Sequence, residues 1–448
     1  MQPKNQFTEG KIFGPLIKFA IPVLFALCLQ SLYGAVDLLV MGRFGTAADV
    51  SAVATGSQIM NMVTMIITSL AMGTTIMLGQ AIGSGRQKDA GNIIGSSICF
   101  FVVLAAILTV IMIVFAGTFT GLLQAPEEAF DKTVNYIKIC SAGMIFIVAY
   151  NILGSVFRGL GDSKTPLFTV FCACVMNIIG DLFFVAVLHM DSSGTALATV
   201  IAQAFSVVMC LFIIRKRGLP FEFSKDNIRF NLKIVKKILK IGFPIALQEG
   251  LVSISFLVIA AIVNSLGVIA SAGVGVAQKI CNFIMLVPSS FSQSLSAFVA
   301  QNIGAEKPKR ARQSMLCGML MSLIVGVFMG YFAFFHGDIL AGIFSKETEV
   351  ILAAADYLKA YAIDTCFVAF LFCYIGYFNG CGKTTIVMLQ GIIGAFGVRV
   401  PVSYFMSKLP DATLFKIGLA TPASTIVQII FFSVCLWMMI RKERSEYD

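Results

Sequence analysis

Long apolar stretches recur along the whole chain, separated by short segments that hold most of the charged and turn-forming residues. Each stretch reaches the roughly 20 residues that a helix rising about 1.5 Å per residue needs to cross the hydrocarbon core of a bilayer. The predicted fold is therefore an all-α, polytopic membrane protein. The pattern predicts twelve transmembrane helices, over residues 13–40, 51–82, 91–119, 132–157, 164–188, 193–214, 236–262, 270–302, 313–335, 350–377, 384–407 and 415–440.

Composition leads to the same class of protein. Of the 448 residues, 58% are hydrophobic and 12% are charged, which leaves too little polar surface to cover a water-soluble globule. The 12 cysteines fall almost entirely within apolar spans and include no CxxC pair, so we expect small apolar helix residues and no disulfide scaffold. The amino-terminal segment lacks the three regions of a signal peptide, and the first helix is expected to direct insertion.

The basic residues are distributed as a membrane topology signal. The formal charge is +10, yet Lys and Arg lie between the apolar spans and form no basic face, so we expect no nucleic-acid partner. Short loops rich in Lys and Arg stay in the cytoplasm. With both termini inside, 24 of the 33 basic residues lie in cytoplasmic segments or at the adjoining helix ends. We therefore expect a multi-pass protein of the plasma (cytoplasmic) membrane, with both termini cytoplasmic.

The two halves of the chain resemble each other. Three landmarks occur twice, 221 or 222 residues apart: Ile17–Pro22 with Leu239–Pro244, Gln80–Gly83 with Gln301–Gly304, and Phe157–Gly161 with Phe378–Gly382. Because an even number of spans separates the copies, they have the same orientation in the membrane. The repeat predicts two pseudo-symmetric six-helix lobes, residues 1–214 and 236–448, joined by a cytoplasmic linker over 215–235. Such a duplicated bundle suits alternating access.

A proline interrupts the first helix of each predicted lobe. Pro22 and Pro244 occupy equivalent positions, and each removes one backbone hydrogen bond from its helix. The sequence leaves open whether Pro22 makes a static kink or a moving hinge.

Oxygen-bearing side chains gather at one depth of the first predicted lobe. Asp37 follows Tyr33 by four residues on the first span, Asp181 follows Asn177 by four on the fifth, and Thr199 reaches a similar depth on the sixth. Acids inside a span are costly and default to function or to pairing. Such a cluster suits a small dehydrated cation or a shared proton, and polar contacts between helices remain the structural alternative.

The second predicted lobe carries charges of both signs. Glu249, Lys279, Asp364 and Arg399 all fall within or near its spans. Since unpaired buried charges are costly, two acids and two bases suggest a neutralised interior network. Structural pairing and the binding of substrate or ion both remain open for these four residues.

Several motifs together resemble the multidrug and toxic compound extrusion (MATE) family. The resemblance extends from about residue 10 to residue 440, and the order, spacing and duplication of its motifs make it specific. The motifs are Gly10-x-x-x-Gly14-Pro15, Ile21-Pro22, Val36-Asp37, Gly42-Arg43-Phe44-Gly45, Gln80-x-Ile82-Gly83, Arg158-Gly159-Leu160-Gly161-Asp162, Val287-Pro288, Gln301-Asn302-Ile303-Gly304 and Arg399-Val400-Pro401.

The resemblance implies two six-helix lobes in a V arrangement, and export of organic cations and other amphiphiles in exchange for inward H+ or Na+. In the DinF-like branch, the amino-lobe cation site maps onto Asp37, Asn177, Asp181 and Thr199. The supporting polar residues of that branch map onto Tyr33, Tyr136 and Asn151, and its bending proline maps onto Pro22. Neither Glu249 nor Asp364 has the spacing of the acidic site that NorM-like members place in the second lobe.

The function predicted from the sequence is therefore a secondary active antiporter for small amphiphilic or cationic substrates. We expect a monomer in the lipid bilayer, with H+ or Na+ as coupling ion and no further cofactor or metal. A flippase of a lipid-linked precursor is the alternative, although it is expected to have a more cationic cleft. An enzyme is disfavoured because the sequence has no HExxH or GxSxG motif, and a channel because no filter-like loop is repeated.

Overall fold

The structure is a computed structural model that describes residues 7–221 and 223–445. Within these residues it contains helices, turns and coil and no strand, which confirms the predicted all-α polytopic fold. The helix bounds agree with the predicted spans within about five residues at each end. The membrane-length helices are α1 (Phe13–Phe44), α2 (Ala47–Gly83), α3 (Gln87–Val114), α4 (Glu127–Ala142 with Met144–Gly159), α5 (Lys164–Val187), α6 (Ser192–Arg217), α7 (Leu232–Asn264), α8 (Val268–Gly304), α9 (Pro308–Phe335), α10 (Thr348–Gly380), α11 (Thr384–Ser407) and α12 (Leu414–Glu443).

Burial separates central from peripheral helices. In their most apolar windows, α2 is 67% buried and α10 is 61% buried, whereas α3 is only 22% buried. The exposed side chains of α3 are large and apolar, such as Val110 and Val114. Contact of these apolar side chains with water would be unfavourable, so we expect this surface of α3 to face lipid.

Contacts between helices group the described residues into two compact units. The amino-lobe unit consists of residues 18–243 with 304–306, and the carboxy-lobe unit consists of 7–17, 244–303 and 307–445. This grouping divides the chain within α7. The domain limits predicted at 214 and 236 stay a prediction.

In the amino-lobe unit, α4 is bent where it packs on α6. Its two halves meet at 55°, and Gly143 lies at the break. A Cβ at Gly143 would lie 2.4 Å from Cγ1 of Val200, so only glycine allows this close approach. The bend directs Tyr136, from the first half of α4, into the buried core of this unit.

In the carboxy-lobe unit, small residues let α9 pack directly on α10. A Cβ at Gly326 would lie 2.7 Å from the backbone oxygen of Thr365, and one at Gly330 would lie 2.9 Å from that of Ala362. Thr365 Oγ1 also donates to the backbone oxygen of Gly326 at 3.1 Å. Small residues four apart allow such contacts between membrane helices.

The repeated landmarks fold into the same turns. After α4, Gly161 has a φ of 82° and Asp162 N donates to Phe157 O at 2.9 Å. After α10, Gly382 has a φ of 71° and Lys383 N donates to Phe378 O at 2.9 Å. Equal spacing in the sequence therefore corresponds to equal hydrogen bonding in the two halves.

Residues 7–11 form hydrogen bonds with α9 of the carboxy-lobe unit, to which they belong. Arg310 donates to the backbone oxygens of Phe7 at 3.0 Å and Gly10 at 2.6 Å. Lys307 Nζ donates to Thr8 O at 2.9 Å, and the ring of Phe7 lies 4.7 Å from that of Phe298. The segment before α1 is thus held by charge-assisted hydrogen bonds.

Candidate functional site

The predicted acidic site is assembled from three helices of the amino-lobe unit. Asp37 comes from α1, Asn177 and Asp181 from α5, and Thr199 from α6. All four are buried, with exposed fractions between 0% and 8%. Asp37 interacts with the side chains of Asp181, Asn177 and Thr199. The structure therefore brings together all four residues that the sequence predicts for this site.

The site has more buried oxygens than hydrogen bonds. Oδ1 of Asp37, both carboxylate oxygens of Asp181, both amide atoms of Asn177 and the hydroxyl of Thr199 are buried without a hydrogen bond of ordinary geometry. A buried polar group left in this state costs free energy. Two adjacent carboxylates also repel each other when both are charged. A bound proton or a small cation would relieve both penalties.

Two tyrosines lie against this cluster. Tyr33, one turn before Asp37 on α1, donates from its hydroxyl to the backbone oxygen of Thr199 at 3.3 Å. Tyr136 is buried on α4 and has Asp37, Tyr33 and Cys140 among its neighbours. A Cβ at Gly56 of α2 would lie 2.4 Å from the Tyr136 ring, so the ring is fixed by packing as well.

Asn151 makes different contacts from those expected of a site residue. Its Oδ1 accepts from Thr68 Oγ1 at 2.9 Å and its Nδ2 donates to Ile147 O at 2.8 Å. These bonds use the amide to connect α4 with α2. Its role as a supporting polar residue of the cation site stays a prediction.

Pro22 lies inside α1, which is helical on both sides of it from Phe13 to Phe44. The side chain is buried. Because proline cannot donate a backbone hydrogen bond, the turn before Pro22 is weaker than its neighbours. The structure holds one conformation of α1, and a hinge at Pro22 stays a prediction.

The span that carries Asp181 changes its winding directly after this residue. Leu182–Val187 forms a π-helix. In the second half, Ile393–Arg399 also forms a π-helix, and its last residue is the buried Arg399. A π-helical segment shifts the direction of the following side chains and is frequent at functional sites. Neither segment is visible in the hydropathy pattern.

In the carboxy-lobe unit, Arg399 and Asp364 form a buried polar cluster. Arg399 Nη1 donates to Ser255 Oγ at 3.2 Å, and its guanidinium carbon lies 4.5 Å from the centre of the Phe256 ring. Asp364 and Tyr361 are among the groups that interact electrostatically with Arg399. Nε of Arg399 and Oδ1 of Asp364 have no hydrogen bond of ordinary geometry.

The predicted network of four charges in the second lobe is wrong in one respect. Lys279 is exposed, and its Nζ lies 5.8 Å from the ring centre of Phe344. The helical period places Ile280 and Cys281 of α8 in the core and leaves Lys279 exposed. Glu249 is half-buried on α7. Arg399 and Asp364 are therefore the two of these four charges that lie buried, and they interact electrostatically.

The acidic cluster offers carboxylate, amide and hydroxyl oxygens, which are the ligands that small hard cations prefer. Among residues 7–221 and 223–445, no three His, Cys, Asp or Glu side chains group as they would around a transition metal. Sequence reasoning missed Thr195 and Gln203 on α6, which have buried oxygens of the same kind. Their spacing of four residues on either side of Thr199 was the available signal.

Comparison with known proteins adds an independent result. The MatE family model matches residues 22–183 and again residues 244–405. The two matches are 222 residues apart, the same separation as the Pro22 and Pro244 landmarks. The family model therefore matches each half of the chain once, in agreement with the predicted internal duplication.

Known proteins are similar to this chain over most or all of its length. The chain is 26% identical over 433 residues to the probable multidrug resistance protein YoeA of Bacillus subtilis, covering 94% of this chain and 93% of the relative. It is 25% identical to the FAD transporter of Shewanella oneidensis, covering 78% of each. A solved structure of a multidrug resistance MATE family transporter in an outward-facing conformation matches with a TM-score of 0.91 and 18% identity, covering 100% of both chains.

Proposed function

Because the chain belongs to the MATE family of membrane transporters, we propose that it is a secondary active antiporter that exports organic cations or other amphiphilic compounds in exchange for inward H+ or Na+. The observation that supports this proposal most directly is the buried pair Asp37 and Asp181, in which three carboxylate oxygens form no hydrogen bond of ordinary geometry. Intramembrane acids without a basic partner are typical of ion and proton pathways.

Coupling follows from the difference in ion affinity between two states of the transporter. A cation can shift a conformational equilibrium only by the ratio of its affinities for the two states. When Asp37 and Asp181 are both ionised, they repel each other in a water-poor site, and ion binding removes that repulsion. We propose that this change rearranges α1, with Pro22 helping it bend, and releases cargo outward.

The names of relatives and the composition support the proposed cargo class. YoeA is named as a probable multidrug resistance protein, and another relative, from Staphylococcus aureus, as a multidrug export protein. The chain contains 40 Phe and 21 Met, and such side chains can repack around flat apolar cations. We propose that it works as a monomer in the plasma membrane, with both termini in the cytoplasm.

The test is transport of a fluorescent lipophilic cation by purified protein in liposomes, with pH and Na+ gradients imposed separately. We expect one gradient to drive transport by the wild type. Asp37→Asn should lose gradient-driven transport by at least tenfold, because its side chain cannot be ionised. Retained transport in this variant would contradict the assignment of Asp37.

A matched control is Asp49→Asn in the same lobe. Asp49 is also buried, but its carboxylate pairs with Lys132 at 2.7 Å and accepts a hydrogen bond at 3.0 Å from the backbone nitrogen of Thr46, the N-cap of α2. Its loss should lower thermal stability while leaving the dependence on the gradient intact. A loss of coupling in both variants would show that the effect is not specific to the acidic cluster.

Negative results for cations would point to other cargo. One relative is named as an FAD transporter, so the assay should include an anionic dinucleotide such as FAD. A fluorescent polyprenyl-phosphate-linked sugar tests the flippase alternative in the same liposomes. Gradient-driven movement of either compound without any cation transport would change the proposed cargo but keep the antiport.

A further inference from the structure

Close packing fixes the register between α5 and α6, the two helices that carry three of the four site residues. A Cβ at Gly180 would lie 2.9 Å from Cβ of Ala198. One turn further, a Cβ at Gly194 would lie 3.1 Å from Cβ of Phe184. Since the helices are antiparallel neighbours in the chain, both contacts define the same register, in which Thr199 lies level with residue 179.

In this register, polar side chains from the two helices alternate in height. They succeed one another about every two residues, or roughly 3 Å along the helix axis. Followed along α6 from its first residue towards its last, the order is Thr195, Asp181, Thr199, Asn177 and Gln203.

All five of these side chains have buried atoms without a hydrogen bond of ordinary geometry, including Oγ1 of Thr195 and Oε1 of Gln203. Buried threonines elsewhere in the same unit behave differently. Thr120 Oγ1 donates to Ala116 O at 2.9 Å, and Thr133 Oγ1 donates to Ala129 O at 2.8 Å. A hydroxyl that does not form this local bond keeps its hydrogen-bonding capacity for another partner, and for Thr199 that partner is the side chain of Asp37.

We propose that Thr195 and Gln203 extend the coupling site into an oxygen ladder along which the coupling cation moves. This inference rests on the proposed antiport. The ladder has the spacing and the ligand type to pass a partly dehydrated monovalent cation from one oxygen to the next. The titratable groups that interact with its centre include Asp37 and Tyr33 of α1, Tyr136 and Cys140 of α4 and Cys174 of α5.

The experiment removes one oxygen at a time and measures how transport depends on the concentration of the coupling ion. Thr195→Val and Gln203→Leu keep the approximate side-chain volume. We expect each to raise the cation concentration for half-maximal transport about tenfold, with a smaller change in the maximal rate. Thr195→Ser restores a hydroxyl and should return the value to within about twofold of the wild type.

Ser206→Ala is the matched control on α6. Ser206 is buried, but its hydroxyl donates to Thr169 O at 3.2 Å. It lies outside the ladder, so its loss should affect thermal stability and leave the cation dependence unchanged. If Thr195→Val does not fold, Thr195→Ala and Gln203→Leu carry the same test.

The outcomes separate this inference from the proposed function. Absence of gradient-driven transport in the wild type, for every cargo tested, would overturn the antiport itself. Coupled wild-type transport with unchanged cation dependence in Thr195→Val and Gln203→Leu would overturn the ladder alone. A serine variant as impaired as the valine variant would also overturn it, because the hydroxyl would not be the group that matters.

Discussion

At the scale of single residues, the two halves of the chain place different residue types at the same left-handed position of equivalent turns. After α2, Gly85 adopts a φ of 70°, which glycine accepts without strain. At the equivalent position after α8 the residue is Glu306, with a φ of 57°. A side chain in this left-handed region costs about 1 kcal/mol. The second half therefore carries a local strain that the first half avoids.

Glu306→Gly should stabilise the protein. Removal of Cβ relieves the left-handed strain, and the extra freedom of glycine in the unfolded chain offsets part of the gain. We expect an increase of up to about 1 kcal/mol, seen as a higher midpoint in thermal unfolding in detergent. The control is Ala305→Gly, where φ is negative and glycine should lower the midpoint. A lower midpoint in Glu306→Gly would show that its side chain makes a contact worth more than the strain.

At the scale of helices, packing in the carboxy-lobe unit depends on the absence of side chains. The backbone of α10 approaches Gly326 of α9 so closely that an added methyl group would overlap Thr365 O. Gly250 of α7 offers a contrast, because nothing lies within 4 Å of an added Cβ there. An alanine would therefore clash with a neighbouring backbone at Gly326 and would find open space at Gly250.

Gly326→Ala should separate α9 from α10 and weaken the Thr365 hydrogen bond. Overpacking of this kind costs about 1–3 kcal/mol. Gly250→Ala should be neutral or slightly stabilising, since alanine favours a helix more than glycine does. Thermal unfolding of both variants in the same detergent distinguishes the two effects. Equal midpoints for the two variants would contradict the close packing of α9 on α10.

Helices and their limits could be predicted because crossing a bilayer requires a fixed length of apolar sequence. The cluster around Asp37 could be predicted as well, since residues four apart share a helix face. Which way a single polar residue points depends on its neighbours in space. For this reason Lys279 is exposed beside Phe344, and Asn151 bonds to Thr68. The 55° bend of α4 depends on the contact of Gly143 with Val200, which the sequence does not encode locally.

At the scale of the whole molecule, the duplicated halves have diverged in charge. The first carries two acids with no basic partner among their described neighbours, Asp37 and Asp181. The second carries one buried base and one buried acid, Arg399 and Asp364, which interact electrostatically. A site that must gain and lose a cation needs uncompensated negative charge, whereas a neutral pair suits a structural role. The divergence favours coupling in the first half and structural pairing in the second.

A double-mutant cycle at Arg399 and Asp364 tests this division of roles. Removing one partner leaves the other charge buried alone, which typically costs about 3–5 kcal/mol, whereas removing both can be nearly neutral. Arg399→Met and Asp364→Asn should therefore each lower the thermal midpoint strongly, and the double variant should recover most of the loss. Its gradient-driven transport should be close to that of the wild type, unlike that of Asp37→Asn. A stable double variant that has lost transport would instead assign the pair to cargo or ion binding, because its structural contribution would have been separated from its function.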